Sequence, residues 1–198
     1  MVQRDKAGDG RQSMGYNGLM KRYRPPLRVG ISGKMRSGKD TIAEYMVRNH
    51  GFVRVALADR LKELACEMFG MRAGAKNRSL LITLGRKMCE VDPFVFVNAA
   101  TRRMPLNENV VVPDVRYPYE FNALKALGFK MVRINIAREK QEARVLATEP
   151  DTSLVLLDDL SETALDAYAT WDMILDGGAS FGDIETAIQY YLVEWRAE

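Results

Sequence analysis

The chain is poor in the residues on which several kinds of chemistry depend. Its 198 residues include one histidine, His50, and two cysteines, Cys66 and Cys89. A single imidazole excludes a histidine-rich metal site, and a Ser-His-Asp triad would have to be built around it. Its place at the close of an amphipathic run makes His50 a helix-end residue. The cysteines stand in segments of helical apolar spacing, far from any C-x-x-C pair, and are expected to be buried, reduced thiols. No apolar run approaches the roughly eighteen residues of a membrane span, so no membrane partner is expected. Near the start, Arg4, Lys6, Asp9 and Arg11 interrupt the apolar stretch that a secretory signal needs, which points to a cytoplasmic protein, in the host cell if the source is viral.

What is present is an ordinary soluble composition, 47% apolar, in a chain long enough for one sizeable core. The net charge of +3 is unevenly spread: residues 1–28 hold seven basic residues against two acidic ones, a net +5, which leaves −2 for the remainder. Residues 1–26 combine this charge with four glycines and the Pro25–Pro26 pair and show no periodicity, so they read as a flexible basic arm ahead of one domain over 27–198. No interleaving of aromatic and basic residues marks a nucleic-acid surface, and nucleic acid is not expected as a partner. A homodimer is compatible with the sequence.

The domain alternates strand and helix. LRVGIS (27–32) and FVRVALA (52–58) read as buried strands, VVV (110–112) as a third ending at Pro113, FKMVRINI (129–136) as a fourth and WDMIL (171–175) as a fifth. Between them lie amphipathic segments: TIAEYMVRNH closed by Gly51, DRLKELACEMFG, two helical pieces over 78–104 broken near Asp92–Pro93, YPYEFNALKALG, a charged helix over 138–147, and a closing helix. This order predicts an open, parallel, five-stranded α/β sheet with helices on both faces, whose ligands sit beyond the C-terminal strand ends.

The chemistry concentrates at those ends. GKMRSGKDT (33–41) follows the first strand and opens a helix. Its bare G-x-x-x-x-G-K pattern arises by chance in about one chain in twenty of this length, and the strand-to-helix setting is what makes it a phosphate loop. There, backbone N–H groups and a helix N-terminus converge on phosphate oxygens. Gly33 and Gly38 permit the close approach, Arg36 and Ser37 complete the turn, and Lys39 reaches the β- and γ-phosphates of a nucleotide. Asp40 stands where a hydroxyl is usual: it either complements the helix dipole or, with Thr41, enters a Mg²⁺ shell. Asp114, just past the third strand, lies where a second Mg²⁺ carboxylate belongs, followed by Arg116 and Glu120. Asp59, Arg60 and Lys62 follow the second strand, Arg78 and Arg86 stand on a helix before the third, and Arg138 and Arg144 follow the fourth.

In sum these residues resemble the tailed-phage deoxynucleoside monophosphate kinases, a branch of the P-loop nucleotide kinases. The likeness rests on SGKDT, in which aspartate after the lysine is normal for that family, on ALADRLKELA, on LLITLGRKMCEVDPFVFVNA, on PDVRYPYE and on LSETALDAYATWDMILDGG. Asp176 replaces an asparagine of the family pattern, and the leader before Leu27 lies outside the likeness. The resemblance implies the P-loop kinase fold with a helical substrate-binding insertion and a lid, and transfer of the ATP γ-phosphoryl group to a deoxynucleotide 5′-phosphate with Mg²⁺. Lys39, Asp114, Arg116, Arg138 and Arg144 would be catalytic. Residues 36–41 with Gly33 would hold ATP, and Asp40, Thr41 and Asp114 the metal. Asp59, Arg60, Lys62, Arg78, Arg86, Arg116 and Glu120 would hold the acceptor. Dephospho-coenzyme A kinase, phosphomevalonate kinase and a non-catalytic nucleotide- or nucleic-acid-binding module remain the alternatives.

Overall fold

Past Pro25 and Pro26 the chain is drawn at once into a sheet: the Leu27 N–H donates to Asn109 Oδ1 at 2.8 Å, and the Leu27 carbonyl accepts from the Val110 N–H. The structure, a computed structural model, describes residues 25–72, 77–150 and 153–197. All but the last two residues of the expected basic arm lie outside the described residues. The strands are β1 (Arg28–Gly33), β2 (Phe52–Arg54), β3 (Asn109–Val115), β4 (Lys130–Asn135) and β5 (Met173–Asp176). The helices are α1 (Lys39–His50), α2 (Asp59–Phe69), α3 (Arg78–Val91), α4 (Val95–Thr101), α5 (Pro118–Ala126), α6 (Arg138–Thr148), α7 (Leu160–Thr163) and α8 (Phe181–Ala197), with a 3₁₀ turn at Leu154–Asp158.

All five strands pair in parallel, in the order β2-β3-β1-β4-β5. Because β1 is central, with β3 on one side and β4 on the other, the chain changes direction there and opens a crevice at its C-terminal end. Alternating side chains separate two cores. Val29 and Ile31 of β1, with Val132 and Ile134 of β4, pack on one face against Ile42 and Met46 of α1 and Ile188 and Leu192 of α8. Val110 and Val112 of β3 and Met131 of β4 face the other way, against Leu61 of α2, Phe96 of α4 and Leu124 of α5. Strands covered on both faces read as apolar runs without alternation, as these do.

Strand boundaries depart from the sequence expectation: β5 starts at Met173 rather than Trp171 and runs to Asp176, and β2 and β3 differ more. β2 stops at Arg54 rather than running to Ala58: the Val55 N–H still reaches the Val111 carbonyl, but the Leu57 and Ala58 N–H groups turn to Asp114. β3 passes through Pro113 to Val115. Pro113 lacks a donor, yet none is needed. β2 pairing ends at Arg54 opposite Val111, and on the other side the β1 register shifts between Gly30–Val112 and Ser32–Val115, a bulge that takes up the proline. The cysteines are free, as expected, but half-buried. Gly51 closes α1 with φ 67°, and Asp92 ends α3 just before Pro93.

Candidate active site

The loop between β1 and α1 is folded as a nest around the Lys39 ammonium. Lys39 Nζ donates to the carbonyls of Gly33 and Lys34, each at 2.6 Å, and is buried. Burial, followed by the Arg116 charge, lowers its pKa to about 8. Gly38 has φ 104°, a conformation that a side chain rarely adopts, and Arg36 takes a left-handed φ of 60°. Arg36 is held at both ends by α6 and its C-cap: Glu149 accepts from its guanidinium at 2.6 Å, and Arg144 Nη1 donates to its carbonyl at 3.1 Å. A Cβ at Gly33 would meet Ser37 Oγ at 2.6 Å and the Ile134 carbonyl at 2.7 Å. Among the described residues the buried Ser37 Oγ has no hydrogen-bond partner.

In front of the loop opens a cavity of about 1170 Å³. It brings together most of the residues the sequence singles out: Arg36 to Thr41 from the loop and α1, Lys62 from α2, Arg78 and Arg86 from α3, Asp114, Arg116 and Glu120 from β3 and α5, and Arg144 from α6. Asp114 Oδ1 and Oδ2 accept from the N–H groups of Leu57 and Ala58, at 2.8 and 2.9 Å, so this carboxylate ties β3 to the start of α2. Arg116 Nη1 donates to Glu162 Oε1 at 2.5 Å and to the Ser161 carbonyl at 3.2 Å. Glu120 Oε2 accepts the N–H groups of Arg116 and Tyr117 at 2.7 and 3.0 Å, the inner half of a capping box. Burial raises its pKa to about 7. Asp40 is exposed at the start of α1, 3.9 Å from Arg54. Thr41 beside it is exposed as well.

Three expected site residues lie elsewhere. Arg138 faces away from the cavity, paired with both carboxylate oxygens of Asp158 at 2.7 and 3.2 Å and with Glu142 at 2.6 Å. Six residues separate it from Arg144, which at 3.6 residues per turn places the two about 120° apart around α6. Asp59 and Arg60 line a separate cavity of about 230 Å³ beside β2, where Asp59 accepts from the Ala56 N–H and Arg60 pairs with Glu63. Arg144 itself is a strut rather than a free lid cation, since its Nη2 donates to the Gly177 carbonyl at 2.9 Å.

Several residues of the site carry no motif of their own. Glu149 joins Arg36 of the loop to Arg78 of α3, the latter at 2.5 Å. Glu162 accepts from the Met35 N–H at 2.5 Å as well as from Arg116. Tyr117 and Tyr119 stack on the cavity wall with rings 8° from parallel, and Tyr119 Oη lies 3.5 Å from Cys89 Sγ. Gly177 is pressed against the loop: a Cβ there would fall 2.4 Å from the Ser37 carbonyl. The sequence marks Glu162 and Gly177 only as members of the stretch LSETALDAYATWDMILDGG, with no sign of these contacts.

A parallel sheet of this order with a phosphate loop after its central strand is the P-loop kinase fold. Solved structures agree: the chain aligns with TT1252 from Thermus thermophilus, 18% identical, over 86% of this chain and 98% of that one, with a TM-score of 0.55. It aligns with a shikimate kinase from Acinetobacter baumannii, 11% identical, over 89% and 98%, also at 0.55. At these identities the likeness is one of fold. Residues 28–93 match the family described as Deoxynucleotide monophosphate kinase, which bears out the resemblance across the loop, α2 and α3. A protein of Ictalurid herpesvirus 1 (strain Auburn), "Uncharacterized protein ORF77", is 28% identical over 163 residues, 78% of this chain and 67% of that protein. Fold, loop and family match make the chain a small-molecule P-loop kinase. No helix among the described residues is long and apolar enough to cross a membrane.

Proposed function

We propose that the protein transfers the γ-phosphoryl group of ATP to the 5′-phosphate of a deoxynucleoside monophosphate, giving the diphosphate. The observation that carries this reading is one cavity in which the phosphate loop meets cations from every side: Lys39, Lys62, Arg78, Arg86, Arg116 and Arg144. Such a set suits two polyanions brought end to end, and the match over residues 28–93 supports a deoxynucleotide as one of them. An acceptor phosphate oxygen is already anionic near neutral pH, so the protein needs no nucleophile and no strong general base. Its work is positioning and charge neutralisation.

In this reading the loop N–H groups and Lys39 hold the donor phosphates, and Arg116, with Lys62 and Arg86, holds the acceptor. Tyr117 and Tyr119 offer a flat wall for its base. The available metal ligands are hard oxygens, as Mg²⁺ requires: Asp40 and Thr41 are exposed, and each Asp114 oxygen keeps a lone pair beyond the amide it accepts. Among the described residues no three His, Cys, Asp or Glu side chains are grouped to hold a metal ion. Bound there, Mg²⁺ would neutralise the phosphate oxygens between donor and acceptor. The partners implied are small-molecule nucleotides.

The test is ADP formation from ATP and Mg²⁺ with each deoxynucleoside monophosphate, each ribonucleoside monophosphate, dephospho-coenzyme A and phosphomevalonate, with Lys39→Ala as control. Turnover with a deoxynucleotide that vanishes in Lys39→Ala is the expected result. Turnover confined to a non-nucleotide acceptor would reassign the substrate, and none with any acceptor would leave a binding module.

A further inference from the structure

Glu162 is a carboxylate to which the transfer reading gives no task, yet its side chain is only 2% exposed. A buried carboxylate persists only where partners satisfy it, and those of Glu162 belong to two different halves of the site. Oε2 accepts from the N–H of Met35, the third residue of the phosphate loop and 127 positions away in sequence, at 2.5 Å. Oε1 accepts from Arg116 Nη1 at 2.5 Å. The short helix α7 that presents Glu162 is itself fixed, since Asp159 Oδ1 accepts from the Ser161 N–H at 2.9 Å and the Ser161 carbonyl accepts from the same Arg116 Nη1.

The geometry at Arg116 gives this bridge a purpose. Its backbone N–H is held by Glu120, and among the described residues the guanidinium makes its hydrogen bonds through Nη1 alone. A planar fork pinned at one corner keeps Nε and Nη2 to offer to an oxyanion, in an orientation the pin decides. A guanidinium without that pin would turn about its own side-chain bonds.

We propose that Glu162 is a positioning residue that ties Arg116 to the third residue of the phosphate loop and so sets the spacing between acceptor phosphate and donor phosphates. The proposal deepens the transfer reading and rests on it.

Full-length wild type, Glu162→Gln and Glu162→Asp are compared, with ATP and the best deoxynucleotide acceptor varied separately. Glu162→Gln is expected to raise the acceptor KM roughly tenfold or more, the scale of one charge-assisted hydrogen bond, and to change the ATP KM much less. Glu162→Asp keeps the charge at shorter reach and recovers part of the loss. An unchanged acceptor KM, or equal rises for ATP and acceptor, overturns the proposal, because a mere brace would not separate the two substrates. Should wild type transfer to no acceptor, the kinase reading falls by itself, and calorimetric binding of ADP and of the deoxynucleoside monophosphates, measured separately, judges the bridge. A Glu162→Gln affinity that falls for the monophosphate and holds for ADP supports it, and equal falls or none refute it. If Glu162→Gln does not fold, Glu162→Asp against wild type carries the acceptor-KM comparison.

Discussion

On the proposed reading, the donor side and the acceptor side of the cavity are built from different materials. The donor side is backbone: β1 is buried along nearly its whole length, α1 buries five residues, and the path of the loop between them is fixed by Gly33, Gly38 and the sheet beneath. The acceptor side is side chain. α3 has no fully buried residue, Leu81 and Cys89 are only partly buried against the second core, and Arg78 and Arg86 reach into the cavity from a helix half open to solvent. A site made of backbone tolerates few changes anywhere along its path, and one made of side chains can be retuned one residue at a time. The same fold can thus keep its donor and change its acceptor.

That contrast can be broken or sharpened by substitution. The largest effect belongs to Lys39→Ala, expected to lower kcat by about a hundredfold or more, since a preorganised cation at the transferring group is lost; steady-state rates with saturating substrates decide it. Gly177→Ala comes next. It touches no substrate, but its Cβ would meet the Ser37 carbonyl at 2.4 Å and push the loop, at a cost of roughly 1–3 kcal/mol in denaturant unfolding and with a raised ATP KM. Arg86→Ala, by contrast, should raise the acceptor KM about tenfold while the ATP KM holds. An equal change in both would erase the division between the sides.

Smaller effects follow. Glu120 binds its proton more tightly in the folded protein, near pH 7, than at the ordinary 4.5 of the unfolded chain. Its contribution to stability is therefore present below about pH 4.5 and is lost as the pH rises towards 7, on the order of 3 kcal/mol; Glu120→Gln should flatten that slope in urea titrations. The smallest effect is expected of Arg138→Ala, which removes a pair outside the cavity and should leave kcat and both KM values within about twofold.

Which parts were legible in the sequence follows the same division. The strand, glycine spacing and helix of the loop could be read directly, because backbone geometry restricts residue type over consecutive positions. So could the Gly51 cap and the break before Pro93. The course of β3 through Pro113 could not, because whether a missing N–H matters depends on where the neighbouring strands stop. Direction was harder still: Ala58, Leu61 and Lys62 share the cavity face of α2, while Asp59 and Arg60 turn to the other side. The angle between Arg138 and Arg144 was available from helix geometry alone. Glu149 and Glu162 were beyond reach, since each works through partners more than seventy positions away in at least one direction.

One chain of contacts runs outward from the loop. Lys34 pairs with Asp166 at 2.9 Å, Asp166 with the buried Arg133 at 2.5 Å, and the Arg133 guanidinium lies 5.7 Å over the indole of Trp171. The only other tryptophan, Trp195, belongs to α8 on the opposite face of the sheet. Indole emission responds to a charge held against its ring, so a ligand that draws Lys34 towards itself is expected to shift Trp171 emission through two ion pairs. A fluorescence titration would then read the state of the loop with no dye attached.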